Sequence, residues 1–197
     1  MFSVQKISFA YPGQETIFDQ FSADFSRHQN ILIRGENGCG KSTLLKLLVG
    51  ELHYSGGDII ADEECNFFYV PQDAASRILG LTIEQDLRIW QIAGLKLKLE
   101  DLSSLPLLRG FDPALFRLPL RELSTGTKQA YVLSLALLHP DRYLILDEAL
   151  PGLDDVRKLV FCNELAKHRG ILAISHDDFA RPGIFDLSLR LEGGILL

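Results

Sequence analysis

The strongest chemical signal in this sequence is a glycine-rich run that ends in a lysine and a serine. Residues 35–42, with the sequence GENGCGKS, fit the pattern G-x-x-x-x-G-K-[ST] without a gap. Glycines let the backbone turn several N–H groups toward one point, and a following helix directs its positive end at the same point. Lys41 adds a mobile cation for the outer phosphates, and the Ser42 hydroxyl can ligate Mg²⁺. The run therefore predicts a phosphate-binding loop.

An apolar segment that ends in two carboxylates is the second signal. Residues 142–148 read RYLILDE, which is typical of a buried strand that finishes in Asp147 and Glu148. The carboxyl ends of parallel strands face the ligand crevice of a sheet. In that position Asp147 can hold Mg²⁺, and Glu148 can polarise an attacking water as a general base. A buried strand with ordinary acidic ends is the alternative, which the phosphate loop in the same chain disfavours.

Strands that alternate with helices are needed to bring these residues together. Apolar and alternating runs predict strands at residues 2–9, 18–25, 30–34, 58–61, 66–70, 142–146 and 171–174. Apolar faces at helical spacing predict helices at residues 41–48, 127–138 and 155–168, and Gly193-Gly194 predicts the turn of a hairpin over residues 187–197. This order indicates an α/β sheet with helices on its faces.

The pattern changes between Gln72 and Glu122. Apolar spacing predicts a helix from Thr82, and a leucine- and proline-rich stretch at residues 97–120 predicts short helices or turns. We interpret residues 72–122 as a helical subdomain inserted between strands. Residues 1–197 then form one domain, with a nucleotide-binding core at about residues 1–71 and 123–197.

With its motifs in this order, nearly the whole chain resembles an ATP-binding cassette (ABC) ATPase, the nucleotide-binding subunit of an ABC transporter. Tyr11 matches the aromatic residue that stacks on adenine, and Gln72 matches the glutamine that senses Mg²⁺ and the attacking water. His176 matches the switch histidine, which in the family holds the γ-phosphate and orients water near the residue that corresponds to Glu148.

Residues 123–129, with the sequence LSTGTKQ, resemble the signature motif of the family, whose common form is L-S-G-G-Q. Thr125 replaces the first glycine and Thr127 replaces the glutamine. Ser124 and Gly126 are kept, and these two offer a hydroxyl and close approach of a backbone N–H to a phosphate. The departures concern affinity or regulation more than the role itself.

The resemblance implies a P-loop NTPase core with a mixed sheet flanked by helices, an antiparallel N-terminal β subdomain and a small helical subdomain. It also implies two cassettes, identical or different, that face each other head to tail. Each ATP lies between residues 35–43 of one subunit and the signature motif of the other. Gly152-Leu153-Asp154 matches the end of the family's D-loop, although residues 149–151 depart from it.

The expected site consists of five sets of residues. The nucleotide-binding set is Tyr11, Gly35, Glu36, Asn37, Gly38, Cys39, Gly40, Lys41, Ser42 and Thr43. The catalytic set is Glu148, His176, Lys41 and Gln72. The Mg²⁺ set is Ser42, Gln72 and Asp147. The signature set, which acts on the other subunit's ATP, is Ser124 and Gly126, and the D-loop residue is Asp154.

Composition excludes several classes of protein. The chain has 197 residues, 47% of them hydrophobic, and a net charge of −6, which excludes disorder and argues against a nucleic-acid partner. The longest apolar stretch, residues 130–138, is far shorter than the roughly 20 residues of a membrane helix, and no secretory signal is visible. Three cysteines, Cys39, Cys65 and Cys162, predict neither a disulfide framework nor a zinc site. We interpret Cys39 as space-filling, with redox control as the alternative.

Because no membrane span is present, the resemblance implies a separate transmembrane permease that docks near residues 72–95. Ile78, Leu79 and Leu81 are candidate contacts, and core packing of the three is the alternative. The chain would then be cytoplasmic and peripheral on the membrane. A soluble ABC ATPase that acts on DNA or ribosomes, and a poorly hydrolysing regulator, remain the other hypotheses. The sequence hints on import and export conflict.

Overall fold

The computed structural model describes residues 2–61, 66–175 and 183–197, so Cys65 and His176 lie outside the described residues. The strands are β1 (Phe2–Ala10), β2 (Thr16–Phe25), β3 (Asn30–Arg34), β4 (Asp58–Ala61), β5 (Phe67–Val70), β6 (Tyr143–Asp147), β7 (Ile171–Ile174), β8 (Leu187–Glu192) and β9 (Ile195–Leu196). The α-helices are α1 (Lys41–Leu48), α2 (Ile83–Ile92), α3 (Thr125–Leu137) and α4 (Asp155–Leu165).

A mixed sheet forms the centre of the described structure. Its strands run in the order β5-β6-β7-β3-β8-β9, and all neighbours pair in parallel except β8 and β9. The carboxyl ends of β3 and β6 therefore lie at the same edge, with β7 between them. This arrangement brings the loop after β3 close to Asp147 and Glu148, and it confirms the predicted α/β sheet flanked by helices.

A second, antiparallel sheet has the order β2-β1-β4, which confirms the expected antiparallel N-terminal part. Two compensating irregularities keep its apolar side buried. Lys6 and Gln20 have φ values of 51° and 49°, and the pairing register shifts at both places. Because Val4 and Ile7 are three positions apart, the bulge at Lys6 is needed to put both side chains in the core.

The segment between β5 and α3 contains α2 and four short 3₁₀ helices, at Ala74–Arg77, Leu99–Ser104, Pro113–Arg117 and Leu120–Glu122. The predicted short helices and turns over residues 97–120 are thus confirmed. The Trp90 ring on α2 stacks on Phe68 of β5, with centroids 5.6 Å apart and planes at 18°. This contact attaches α2 to the mixed sheet.

Several helix ends differ from prediction by a few residues, and local capping explains why. Helix α3 begins at Thr125, not at residue 127, because the Ser124 side chain caps it by accepting from the Thr127 N–H. The prediction that α4 continues to residue 168 is wrong, since α4 ends at Leu165 and Ala166 is its C-cap. Within the described ranges, no helix is long and apolar enough to cross a membrane.

Candidate functional site

The glycine-rich loop joins the carboxyl end of β3 to the first turn of α1. Gly40 has a φ of 102°, and a Cβ there would lie 2.6 Å from the Cγ2 atom of Ile17 on β2, so only glycine fits. Lys41 is 6% exposed, and its Nζ donates to the carbonyl oxygens of Gly35 at 2.9 Å and Glu36 at 2.7 Å. The loop therefore curls around the ammonium group, which lies at its centre.

Two of the predicted Mg²⁺ ligands are in direct contact. The Ser42 hydroxyl donates a 2.9 Å hydrogen bond to Oδ1 of Asp147, which is 2% exposed. Burial raises the pKa of Asp147, and the hydrogen bond from Ser42 partly offsets this. Both groups offer oxygen atoms, the ligand type that Mg²⁺ prefers.

The donor set fits an ion that is shared with phosphates. Across residues 2–61, 66–175 and 183–197, no group of three or more His, Cys, Asp or Glu side chains could hold a metal by itself. Mg²⁺ is commonly bound by one or two protein ligands together with substrate phosphates and water. Ser42 and Asp147 fit that pattern, and Gln72 lies exposed on the loop after β5.

A cavity of about 290 Å³ opens in front of the loop. It is lined by Tyr11, Gln14, Ile17, Asn37, Gly38, Gly40, Lys41, Ser42, Thr43 and Glu148. The structure thus brings Tyr11, most of the loop and Glu148 to one space, whereas Gln72 is not among the lining residues. Sequence reasoning missed Gln14 and Ile17, because neither type signals a site and only the fold of β1 and β2 brings them here.

Glu148 lines this cavity with an unusual backbone. Its φ is 49°, in the left-handed region that a residue with a side chain seldom adopts, at a cost of about 1–3 kcal/mol. The Glu148 N–H donates to the carbonyl of Ile174 at 3.0 Å, which holds the residue against β7. With this backbone, Glu148 lies on the wall of the cavity in front of the loop.

Tyr11 and Cys39 both pack within this region. The Tyr11 hydroxyl is hydrogen-bonded to Thr43 Oγ1 at 3.3 Å, and its ring meets Phe9 edge-on at 5.0 Å. Cys39 Sγ lies 2.9 Å from the position that a Cβ on Gly35 would occupy. This contact supports the space-filling interpretation of Cys39.

The signature residues lie at the start of α3, outside the cavity lining. Ser124 Oγ accepts from the Thr127 N–H at 3.0 Å and is hydrogen-bonded to Thr127 Oγ1 at 2.8 Å. A Cβ on Gly126 would lie 2.5 Å from the carbonyl oxygen of Gly152. The glycine is therefore required by close approach to the segment after β6, a reason that the sequence alone did not provide.

The segment from Ala149 to Asp154 is held at both ends. Gln129 is 3% exposed, and its Nε2 donates to the carbonyl of Ala149 at 2.7 Å. Asp154 caps α4 by accepting from the Arg157 N–H at 2.8 Å, and it also pairs with the Arg157 guanidinium. The hydrogen bond from the Arg157 backbone, and then the guanidinium, lower the pKa of Asp154.

The three candidate docking residues separate into two groups. Ile78 is 8% exposed and packs in the core, so its candidacy as a permease contact is wrong. Leu79 and Leu81 are 74% and 77% exposed. These two leucines form an outward-facing apolar loop, here called the Leu79–Leu81 loop.

Comparison with known proteins gives consistent matches. Residues 18–151 match the ABC transporter family. The zinc import ATP-binding protein ZnuC 2 of Aliivibrio fischeri is 31% identical over 90% of this chain and 73% of its own length. ATP-binding protein Uup of Haemophilus influenzae is also 31% identical over 90% of this chain, but the chain spans 28% of Uup. For a zinc import ATP-binding protein ZnuC of Magnetococcus marinus, the chain spans 64% of the relative.

Solved structures give the same fold. The ATP binding subunit of an ABC transporter superposes with a TM-score of 0.79 at 25% identity, covering 100% of this chain and 88% of that subunit. A dimeric post-hydrolysis state of the ATP-binding cassette MJ0796 bound to ADP and Pi superposes with a TM-score of 0.80 at 17% identity. The second match covers 100% of this chain and 96% of the cassette, and it supports the fold alone.

Proposed function

The chain belongs to the ABC transporter family, and on that premise we propose that it binds and hydrolyses ATP to power a membrane transporter. The general function, an ATP-driven motor of the ABC type, follows from the family. The finer proposal is that ATP closes a dimer of cassettes and that hydrolysis lets the dimer open. The observation that supports ATP binding and hydrolysis is the convergence of Lys41, Ser42, Asp147 and Glu148 at one edge of the sheet.

In this proposal, residues 35–43 hold the phosphates of ATP and Tyr11 packs against the adenine. The Lys41 ammonium exchanges its neutral carbonyl partners for phosphate oxygens, which carry a full negative charge and so bind the cation more strongly. Ser42 and Asp147 would hold Mg²⁺, which would supply positive charge beside the phosphates. Glu148 on the cavity wall accepts the proton of the attacking water. Gln72 and His176 retain their expected roles beside the water and γ-phosphate.

The second cassette completes the site. Ser124 and Gly126 lie outside the cavity lining of their own chain, which supports a role toward ATP bound by another subunit. The positive end of α3 and the Ser124 hydroxyl would then meet the γ-phosphate across the interface. Asp154, at the start of α4, would lie close to the same interface. The partner is a second copy of this chain or a different cassette.

A separate transmembrane permease is the second proposed partner. The Leu79–Leu81 loop supports this, because two large apolar side chains at 74% and 77% exposure are stabilised when a partner covers them. Binding there would hold the chain at the cytoplasmic face of a membrane. The relatives named for zinc import and the relative Uup are equally similar at 31%, so their names support the cassette and not a cargo.

A poorly hydrolysing regulator is the one alternative that a specific observation favours. Thr127 occupies the hydroxyl of Ser124 with a 2.8 Å hydrogen bond, and the common signature motif has glutamine in place of Thr127. Such a bond would compete with contact between Ser124 and the phosphate of the other subunit. Measurable hydrolysis that is lost in the Glu148 variant described next would contradict the alternative.

Glu148→Gln tests the proposed function. The glutamine keeps the side-chain shape and cannot accept the proton, so ATP should bind without hydrolysis and trap the closed dimer. We expect a dimer on size-exclusion chromatography with ATP and Mg²⁺, and a monomer without nucleotide. Glu100→Gln is the control, since Glu100 is a surface residue with 74% of its side chain exposed. A monomeric Glu148→Gln variant with ATP would contradict the symmetric sandwich.

A further inference from the structure

A buried carboxylate joins the Leu79–Leu81 loop to helix α3. Asp86, in the first turn of α2, is 1% exposed. Its Oδ1 accepts from the backbone N–H of Leu79 at 2.7 Å and of Gly80 at 3.3 Å. Its Oδ2 accepts from the hydroxyl of Tyr131, on α3, at 2.8 Å. One side chain therefore binds the exposed loop with one oxygen and the signature helix with the other.

Hydrogen bonds stabilise the buried carboxylate of Asp86 and orient the groups that it joins. A carboxylate is expensive to bury unless hydrogen bonds satisfy it, and Asp86 has three donors. Hydrogen bonds to a charged acceptor are about twice as strong as neutral ones. Burial and the nearby carboxylate of Asp86 raise the pKa of Tyr131, so its hydroxyl remains a donor. Two apolar side chains in place of Asp86 and Tyr131 could fill the same space. They would not, however, fix the orientation of the loop relative to α3, because only hydrogen bonds are directional.

The backbone of the Leu79–Leu81 loop packs directly against the start of α2. A Cβ on Gly80 would lie 2.4 Å from the Asp86 nitrogen and 2.8 Å from the Thr82 oxygen, so the loop backbone lies directly on the start of α2. The Leu81 N–H donates to Gln85 Oε1 at 3.0 Å, and the Leu81 carbonyl accepts from the backbone of the segment before α3 at 3.0 Å. A displacement of the exposed leucines would therefore be transmitted to α2 through these contacts.

On the other side, Tyr131 is part of the same rigid helix as the signature residues. It is 0% exposed and lies one turn after Thr127, on the same helix face. The Thr127 N–H is bound by Ser124 Oγ at 3.0 Å. A displacement of Tyr131 along or around α3 is therefore carried to Ser124 through one hydrogen-bonded turn.

We propose that Asp86 and Tyr131 are positioning residues that couple the Leu79–Leu81 loop to the signature residues at the start of α3. A permease segment that presses on the loop displaces Asp86 and, through the Tyr131 hydroxyl, shifts Ser124 and Gly126 relative to the ATP they meet. The meaning of this coupling for transport rests on the proposed function. The coupling itself is a property of the isolated chain.

Hydrogen exchange on the purified chain, without nucleotide, tests the coupling. Gly80→Ala is the perturbation, because its Cβ forces the loop away from α2. The backbone N–H groups of Thr127 and Lys128 are the readout, since both are bonded to Ser124. We expect Gly80→Ala to change their exchange rates by at least about fivefold in the wild-type background and by less than about twofold in a Tyr131→Phe background.

The control deletes a tyrosine hydroxyl elsewhere. Tyr54→Phe removes an acceptor for the Ile59 N–H in the antiparallel sheet, and it should leave the effect of Gly80→Ala intact. A purely structural role for Tyr131 predicts faster exchange throughout α3 in Tyr131→Phe, with Gly80→Ala acting equally in both backgrounds. That result overturns the proposal, and so does a Gly80→Ala variant that leaves the readout unchanged in the wild-type background.

Milder variants keep the test decisive if either protein fails to fold. Gln85→Ala, which removes the acceptor for the Leu81 N–H at an exposed position, replaces Gly80→Ala. Tyr131→Met, which removes the hydroxyl donor to Asp86 while its flexible side chain fills the buried space, replaces Tyr131→Phe. A change in exchange at Thr127 and Lys128 that is lost without the Tyr131 hydroxyl supports the proposal. No change, or an equal change in both backgrounds, overturns it. Because no step needs ATP, a dimer or a permease, failure of the proposed function is detected separately, by the Glu148→Gln dimer.

Discussion

The Ser42 hydroxyl donates a 2.9 Å hydrogen bond to Asp147, across 105 residues of chain. It joins the first turn of α1 to the carboxyl end of β6, and so fixes the phosphate loop relative to the acidic strand. Asp147 is 2% exposed and its pKa is raised, mainly by burial. Burial therefore makes the charged form of Asp147 less stable in the folded chain than in water, and a bound cation would offset that cost.

Asp147→Asn should unfold at a higher temperature than the wild type, without nucleotide, at a pH above the folded-state pKa of Asp147. A raised folded-state pKa gives stability that is complete below the ordinary aspartate pKa and is lost as pH rises through the folded value. Above its folded-state pKa the wild type has lost that contribution, whereas asparagine carries no charge at any pH. The gain should shrink as pH falls through the folded pKa, and each kcal/mol corresponds to about 2–4 °C in a chain of this size.

Asp154→Asn is the matched control with the opposite sign. The pKa of Asp154 is lowered, so its stability is present above the ordinary aspartate pKa and is lost as pH falls through the folded value. This variant should melt no higher than the wild type at pH 7. With ATP and Mg²⁺, the wild type should gain stability that Asp147→Asn does not. An Asp147→Asn variant that melts lower than the wild type without nucleotide would contradict the role of burial.

Lys41→Ala should weaken ATP binding. The Nζ group makes two hydrogen bonds to loop carbonyls and lies where the phosphates are expected. Loss of a charge-assisted hydrogen bond is worth about 1.5–3 kcal/mol, which corresponds to a loss of affinity of about tenfold or more. Fluorescent-nucleotide titration measures it, with Lys167→Ala as the control, since that exposed lysine forms an ion pair with its helix neighbour Glu164. Equal affinity in Lys41→Ala and wild type would count against the phosphate loop.

Elements that are separated by turn-forming residues could be predicted from the sequence. The predicted bounds of β3 and α1 agree with the structure, because a glycine-rich run separates a short apolar strand from a leucine-rich helix. The loop at residues 35–42 was readable for the same reason, since all its residues are contiguous. The bulges at Lys6 and Gln20 could not be predicted, because they depend on how β1 pairs with β2.

Contacts between distant residues account for what sequence reasoning missed at the site. The approach of Gly126 to Gly152, and the hydrogen bond from Tyr131 to Asp86, each join residues that no local pattern relates. Ile78 looks like its two leucine neighbours in sequence, yet it is buried. Periodicity alone could not separate them, because the three residues lie at the end of a short 3₁₀ helix and in the loop that follows it, where side chains have no sustained period. The burial of Ile78 and the exposure of the two leucines follow from how the loop packs against α2, which is a tertiary contact.

Gly126→Ala should destabilise the chain although it improves helix propensity. Alanine is favoured over glycine inside a helix by about 1 kcal/mol. Here, however, the added Cβ would lie 2.5 Å from a backbone oxygen, that of Gly152, so α3 or the segment after β6 has to shift. We expect a lower melting temperature and a weaker ATP-dependent dimer in the Glu148→Gln background. Arg88→Ala on the exposed surface of α2 is the control and should leave both unchanged. A stabilised Gly126→Ala variant would contradict the close approach.

Gln129→Met should lower kcat for ATP hydrolysis more than it raises KM. Gln129 is buried, and its amide donates a 2.7 Å hydrogen bond to the carbonyl of Ala149, the residue that follows Glu148. Methionine fills a similar volume but leaves that buried carbonyl without its donor, which costs about 1–3 kcal/mol. Since the Glu148 backbone is held at a φ of 49°, loss of the neighbouring anchor should let the carboxylate leave its position before it disturbs the phosphate loop. Steady-state kinetics against ATP concentration separates the two parameters, and Gln91→Met on exposed α2 surface controls for the substitution type. A variant with unchanged kcat and raised KM would show instead that Gln129 acts on nucleotide binding.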